Sequence, residues 1–302
     1  MEQQNKNYLL GIYTRSPLHV GSGTSVDIVD LPIIRERITN YPVIPASALK
    51  GVLRQRAVDL NGEKNSDVNV LFGNRDDDYK DDKGKISYGG AMFFGEAKLL
   101  AFPVRSLKGC FAWITCPLAL QRFARDTGKK INVPKVDCDK CFASDKVASK
   151  GTVVLEEYPL TIYSAAEYQA VKADIEKIIA VIADISDDPV WKGELADRLV
   201  ITNDENFQHF VTTTTEIVAR IEINPKTRTN NRNLFNQENA PSESVYYSVC
   251  QYLGERKPGT ENACETFESL FPNNKACIQL GGNETIGQGL CEVKLTLLNG
   301  GE

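Results

Sequence analysis

Tyr41-Pro-Val-Ile-Pro-Ala-Ser-Ala-Leu-Lys-Gly-Val-Leu-Arg54 marks the point where an extended segment turns into a helix. Ser47 can lend a side-chain oxygen to the unpaired N–H groups of a first turn, so the spacing predicts a helix capped there. Leu49, Val52, Leu53, Ala57 and Leu60 recur at helical intervals until Asn61-Gly62 ends the run. Ser47, Lys50 and Gly51 fall near its start, where free N–H groups and an ammonium suit either a phosphate seat or an ordinary capped surface helix. Upstream, Tyr8 to Thr14 (YLLGIYT) is apolar and aromatic and is followed by Ser16-Pro17, which predicts a buried first strand. Leu18 to Tyr41 lies between the two and reads as loop.

Working outward, Asn74 to Lys85 is a charged, glycine-punctuated loop before the strand-like Met92 to Leu100, and Phe102 to Pro117 continues the sheet. Asp126 to Lys150 is polar and interrupted. Ala165 to Ile185 is an amphipathic helix with Tyr168, Val171, Ile175, Ile178, Ile179, Ile182 and Ile185 on one side. Glu216 to Ser248 reads as a long hairpin returning through Val245-Tyr-Tyr-Ser248, its tip carrying Leu234 and Phe235 among polar residues. An exposed apolar pair there needs a partner, either a protein contact or stacked bases. Leu280-Gly-Gly-Asn-Glu-Thr-Ile-Gly-Gln-Gly-Leu290 is a glycine-rich loop without the order of a nucleotide-binding fingerprint.

The 302 residues are 42% hydrophobic and 25% charged, enough for a generous core. No run of apolar residues is long enough for a membrane span. The opening MEQQNKNYLL lacks the pattern of a signal peptide, so the cytoplasm is the expected compartment. The eight cysteines are therefore expected as free thiols; Cys138 and Cys141 have metal-ligand spacing, but no second pair completes a zinc site. A net charge of −5 argues against coating nucleic acid through bulk charge. Charge is local, however. Ile34 to Asp59 holds five bases (Arg35, Arg37, Lys50, Arg54, Arg56) against two acids, and Arg220 to Phe235 holds four (Arg220, Lys226, Arg228, Arg232) against one. Such strips suit RNA in a groove or simply a solvated surface. Ser164 to Gln208, with ten acids and four bases, should repel RNA and pack on the body or a protein neighbour.

Leu18-His-Val-Gly-Ser-Gly23, Val29-Asp-Leu-Pro-Ile-Ile-Arg-Glu-Arg37, the Tyr41–Arg54 segment and Gly281-Gly-Asn-Glu-Thr-Ile-Gly-Gln-Gly289, in this order, resemble the RAMP superfamily of CRISPR proteins. The Val-Asp-Leu-Pro string and the Val-Ala-Arg-Ile…Lys-Thr-Arg-Thr arm are most similar to the repeated backbone subunits of type III-B Cmr effector complexes. The resemblance implies an α+β fold: one domain over 1–302 with an RRM-like, ferredoxin-like palm, a loop at 18–45 bearing the active site, insertions at 62–90 and 126–210, and a thumb hairpin at 216–248. It implies copies stacked head to tail on a CRISPR guide RNA beside other Cmr subunits, with target single-stranded RNA paired to the guide. The thumb would splay a base pair at regular intervals, and the adjacent target phosphate would be cut with magnesium or a similar divalent ion. The aspartate on which cutting depends maps onto Asp30.

Few catalytic side chains are needed, because RNA cuts itself when its 2′-hydroxyl is placed in line with the neighbouring phosphate. Asp30 alone can hold a metal ion that substrate phosphates complete. Asp27 is either a second carboxylate or a solvated loop acid, and His19 either moves a proton or holds the loop. Arg35 and Arg37, oriented by Glu36, are candidates for guide phosphates or transition-state charge; Ser47, Lys50, Arg54, Leu234, Phe235, Gly281, Gly282, Gly287 and Gly289 complete the expected RNA contacts. The rival readings are a scaffold subunit that binds RNA without cutting and a metal-independent guide-processing nuclease.

Overall fold

The computed structural model describes residues 5–25, 28–62, 65–74, 80–81, 84–85, 88–223, 230–254 and 263–298. The chain begins with β1 (Lys6–Thr14), then a loop leading to β2 (Val43–Ile44) and helices α1 (Ala46–Asn61) and α2 (Ser66–Phe72). Short strands β3 (Lys80–Asp81) and β4 (Gly84–Lys85) precede β5 (Met92–Phe94), β6 (Ala97–Ser106), β7 (Cys110–Thr115) and α3 (Pro117–Thr127). Next come β8 (Lys140–Ala143), β9 (Thr152–Leu155), β10 (Tyr158–Ile162), α4 (Ala165–Ala183), α5 (Pro189–Arg198), β11 (Leu199–Ile201) and α6 (Asp204–Thr213). The last third holds β12 (Glu216–Ile223), β13 (Asn230–Asn239), β14 (Val245–Tyr252), α7 (Ala263–Ser269), β15 (Lys275–Gln279) and β16 (Leu290–Leu298).

A mixed sheet runs β15-β16-β1-β14-β6-β7-β11-β8-β10-β9, with β2 added on β6 and β5 on β14. Within it β16, β1, β14 and β6 each run antiparallel to their neighbours. The first strand is thus central, with Tyr8 opposite Cys250 on one side and Leu297 on the other. Its successive apolar residues follow from that position, because both faces of the sheet are covered. Tyr8, Leu10 and Ile12 join Leu49, Leu53, Tyr246 and Phe267 in one core, while Leu9 and Tyr13 join Trp113, Ile178, Ile182, Trp191 and Tyr247 in the other. Helices α1, α2 and α7 cover the first face and α4 and α5 the second.

Gly11 is required by this layering. A Cβ there would lie 2.0 Å from the carbonyl oxygen of Ile185, just beyond α4, and backbone cannot yield as a flexible side-chain tip can. Gly11→Ala should therefore cost about 3 kcal/mol, a large overpacking penalty, measured as a lower urea midpoint with an unchanged slope.

Two sequence expectations are corrected here. Helix α1 starts one residue before Ser47, and its cap is Pro45, whose carbonyl accepts from Ala48 and Leu49 without a side-chain cap bond. The fixed φ of Pro45, −58°, directs the chain into the helix, so Ser47 is an exposed second residue and not the cap. The hairpin also closes earlier than 248. Strands β12 and β13 form a separate two-stranded sheet, whereas Val245-Tyr-Tyr-Ser248 lies in β14, between β1 and β6, where its apolar faces are buried. The amphipathic helix is as expected, fixed by a Ser164/Glu167 capping box with Ile175, Ile178 and Ile182 buried. Among the described residues no helix is long and apolar enough to cross a membrane.

Candidate functional site

The loop at 18–45 is laid against the outer edge of β13, which satisfies backbone groups that a two-stranded ribbon leaves open. Leu18 and Ala240 exchange a pair of N–H···O bonds of 2.8 Å, Asn236 O accepts from Leu31 N–H at 3.0 Å, and Leu31 O accepts from Glu238 N–H at 3.0 Å. Asp30 adds its side chain to this seam: Oδ2 accepts the Asn236 N–H at 2.7 Å. Asp30 is half-buried, and its second oxygen has no hydrogen-bond partner among the described residues.

Glu238 fastens the loop on both sides of Asp30. Its carboxylate, 8% exposed, accepts from Ile33 N–H (2.9 Å), from the Arg35 guanidinium (2.5 Å) and from the Thr215 hydroxyl (2.9 Å). Its backbone carbonyl lies 2.7 Å from His19 Nδ1. A carbonyl only accepts, so Nδ1 carries the proton, and in neutral His19 Nε2 is left as the basic nitrogen.

The glycine loop reaches the same place. Gly282 N–H donates to His19 O at 2.9 Å and Gly289 N–H to Pro17 O at 2.8 Å. Gly281 has φ +76°, and a Cβ on it would meet His19 O at 2.3 Å; Gly289 has φ +74°, and its Cβ would meet Leu280 O at 1.8 Å. Only glycine allows both conformations and both approaches. Asn283 then ties the loop to β13, its amide donating to Gln237 Oε1 (3.0 Å) and Gln288 Oε1 (2.8 Å). His19, Asp30, Gly281, Gly282 and Gly289, far apart in sequence, thus meet at the root of the hairpin.

A family model of the RAMP superfamily matches residues 12–292. The chain belongs to the RAMP superfamily. Among curated relatives, the CRISPR system Cmr endoribonuclease Cmr4 of Pyrococcus furiosus is 36% identical over 301 residues, covering 96% of each chain. The crystal structure of oligomeric Cmr4 from Pyrococcus furiosus aligns with a TM-score of 0.73 at 29% identity, covering 97% of this chain and 99% of that one. A chain of the type III-B Cmr-beta complex bound to cognate target RNA shares the fold at a TM-score of 0.68 and 19% identity, covering 97% of each chain. The resemblance read from Leu18–Arg54 and the glycine loop is therefore a family relationship along nearly the whole chain.

Other expected RNA contacts of this RAMP protein are placed differently. Arg35 turns inward, holding Glu238, Asn40 O and Val211 O, because the buried carboxylate demands a counter-charge. Arg54 bonds Gly73 O and Asn69, joining α1 to α2, and Arg56 bonds Leu270 O. Glu36 accepts from Arg122 and Thr39 and does not orient Arg35 or Arg37. Of the first basic strip, Arg37 is exposed and Lys50 half-buried, and among the described residues neither guanidinium nor ammonium has a partner. Leu234 and Phe235 do not form the tip: they pair with Ile221 and Arg220 in the body of the hairpin, Leu234 being 64% exposed. Gly287, at φ +79°, ends the short 3₁₀ turn Glu284–Ile286. Asp27, Lys226 and Arg228 lie outside the described residues. Glu238, Gln237 and Asn283 were not singled out from the sequence, where Asn236-Gln-Glu-Asn239 looks like polar hairpin surface.

Cys138 and Cys141 stand in different surroundings. Cys141 is fully buried in the apolar core, and burial pushes its thiol up to about 12, whereas Cys138 is exposed. No group of three or more His, Cys, Asp or Glu side chains is arranged around a common point among the described residues. Iodoacetamide at pH 8 should therefore modify Cys138 in the native protein and leave Cys141 intact. Joint protection of both thiols that a chelator lifts would show a shared metal. A cavity of about 570 Å³ lined by Arg105, Glu157, Tyr158, His209 and Thr215 borders the hairpin root but not Asp30; a polynucleotide needs a surface groove, so the cavity does not locate the site.

Proposed function

We propose that this protein is a guide-binding backbone subunit of a type III-B CRISPR effector complex that cuts guide-paired target RNA at regular intervals. The observation that carries the reading is the bond from Asn236 N–H to the Asp30 carboxylate. It sets the acidic group one residue along β13 from Phe235 and two from the exposed Leu234. The apolar pair that would splay a base pair and the carboxylate that would act on the neighbouring phosphate are thus held on one strand. Strand order β16-β1-β14-β6, with α1 and α7 in the crossovers, supports an RRM-like palm; β12–β13 is the thumb, and segments 62–90 and 126–210 are insertions.

In the cleavage step, the 2′-hydroxyl oxygen of the target bonds to the adjacent phosphorus and the bond to the 5′-oxygen breaks. The products are a 2′,3′-cyclic phosphate and a 5′-hydroxyl, the hydroxyl proton passing to a base and a proton reaching the leaving oxygen. The hairpin sets the in-line geometry, Asp30 stands at the phosphate, and Nε2 of His19 is the available proton acceptor. Asp30 also fits a substrate-completed magnesium site, since one of its oxygens has no partner among the described residues and magnesium is held by one or two carboxylates plus phosphate oxygens. When bound, the ion supplies charge stabilisation at the phosphate. Copies of the chain stack head to tail along the guide beside other Cmr subunits.

The test is assembly of the complex with guide RNA, labelled complementary target and magnesium. Evenly spaced cuts that Asp30→Ala removes support the reading; bound but uncut target with the wild-type chain rejects it in favour of a scaffold.

A further inference from the structure

The glycine loop between β15 and β16 curls so tightly that four backbone carbonyl oxygens face a common point. That point is occupied by the side-chain nitrogen of Gln279, the last residue of β15. Nε2 lies 3.2 Å from Leu280 O, 3.1 Å from Gly281 O, 3.3 Å from Gly282 O and 3.3 Å from Gln288 O. The surroundings fix the amide orientation: turned over, Oε1 would face four carbonyl oxygens with no proton between them. Two N–H bonds are shared among four acceptors. Carbonyl dipoles aimed at one point repel each other unless positive charge sits among them, which is how carbonyl rings come to hold cations. In this loop the partial charge of a neutral amide fills that role.

The braced carbonyls belong to residues that reach the candidate site. Gly282, whose carbonyl faces Gln279, donates its N–H to His19 O, and Gly281 packs on the same carbonyl. Gln288 and Gly289 close the neck, where Leu280 N–H bonds Gly289 O and Gly289 N–H bonds Pro17 O. His19 is held in turn by Glu238.

We propose that Gln279 is a positioning residue for RNA binding and cutting: its amide nitrogen gathers the loop carbonyls and so fixes the glycine loop against His19. This inference rests on the loop being an RNA contact, as in the function proposed above. Gln279 itself touches no substrate; it acts through Gly281, Gly282 and the 17–19 segment.

The test compares Gln279→Ala, Gln279→Glu and Gln279→Lys in the full chain. Glu has the shape of Gln but points oxygens at the carbonyls, whereas Lys is one bond longer and brings three donors and a full charge. Amide hydrogen exchange at Gly282 and Gly289 should be about tenfold faster in the Ala and Glu variants, the equivalent of one or two lost hydrogen bonds, and near wild type in Lys. Single-turnover cutting and guide retention in the assembled complex should follow the same order. A merely space-filling residue would give the reverse, with Glu near wild type and Lys impaired, and that ranking, or unchanged exchange in all three, overturns the proposal. Exchange in the expected order with unchanged guide retention and cutting also overturns the link to RNA. A wild-type complex that retains guide through this loop but cuts nothing rejects the proposed nuclease and leaves the Gln279 brace supported by exchange and retention.

Discussion

Asp30→Asn in the assembled complex is expected to lower target cutting by at least about 100-fold, on the scale of removing one transition-state stabiliser, while guide and target stay bound. The substitution separates the two things Asp30 does. Its carboxylate oxygen accepts the Asn236 N–H, which an asparagine carbonyl can also do, but asparagine brings no charge to a phosphate or metal ion. Asn should therefore fold like wild type and fail to cut. Asp30→Ala should fail equally and also lose about 1 kcal/mol, because the Asn236 N–H is left without its acceptor. Single-turnover rates with matched thermal unfolding distinguish the cases. Wild-type cutting by the Asn variant would mean that the carboxylate only fastens the loop and that the subunit is a scaffold.

Glu238→Ala should be the most damaging single change near the site, costing about 3–5 kcal/mol, as expected when one partner of a buried ion pair is removed. Arg35, with its side chain 18% exposed, would be left beside Val211 O and Asn40 O without its counter-charge, and Ile33 N–H and Thr215 would lose their acceptor. The decisive comparison is with the double variant Glu238→Ala/Arg35→Met, which removes the stranded charge and should recover part of the loss. Urea unfolding reads both. Equal destabilisation of single and double variants would show that the neutral hydrogen bonds, and not the charge pair, hold the loop.

The sequence foretold elements whose pattern is local. The first strand, α1, α4 and the glycine loop each follow from residues within one segment, and the ordered motifs from Leu18 to Arg54 gave the superfamily. Partner choice between distant segments was not legible. Arg35, Arg54 and Arg56 looked like a solvent-facing basic strip because their acceptors, Glu238, Gly73 O and Leu270 O, lie elsewhere in the chain. Glu238 was missed for the same reason: in Asn236-Gln-Glu-Asn239 nothing local distinguishes a buried counter-ion from hairpin surface. The misplacement of Leu234 and Phe235 was one of register, since they pair with Ile221 and Arg220 and only strand pairing fixes how far along β13 they stand.

The central position of β1 also constrains the order in which the molecule can be made. Residues 6–14 are made well before both of their hydrogen-bonding neighbours: about 230 residues separate β1 from β14, and β16 comes later still. Until then a strand apolar on both faces has two unpaired edges and no sheet to enter. The nascent chain therefore carries an unpaired apolar segment while the intervening residues are added, and chains that stop short of β14 cannot bury it.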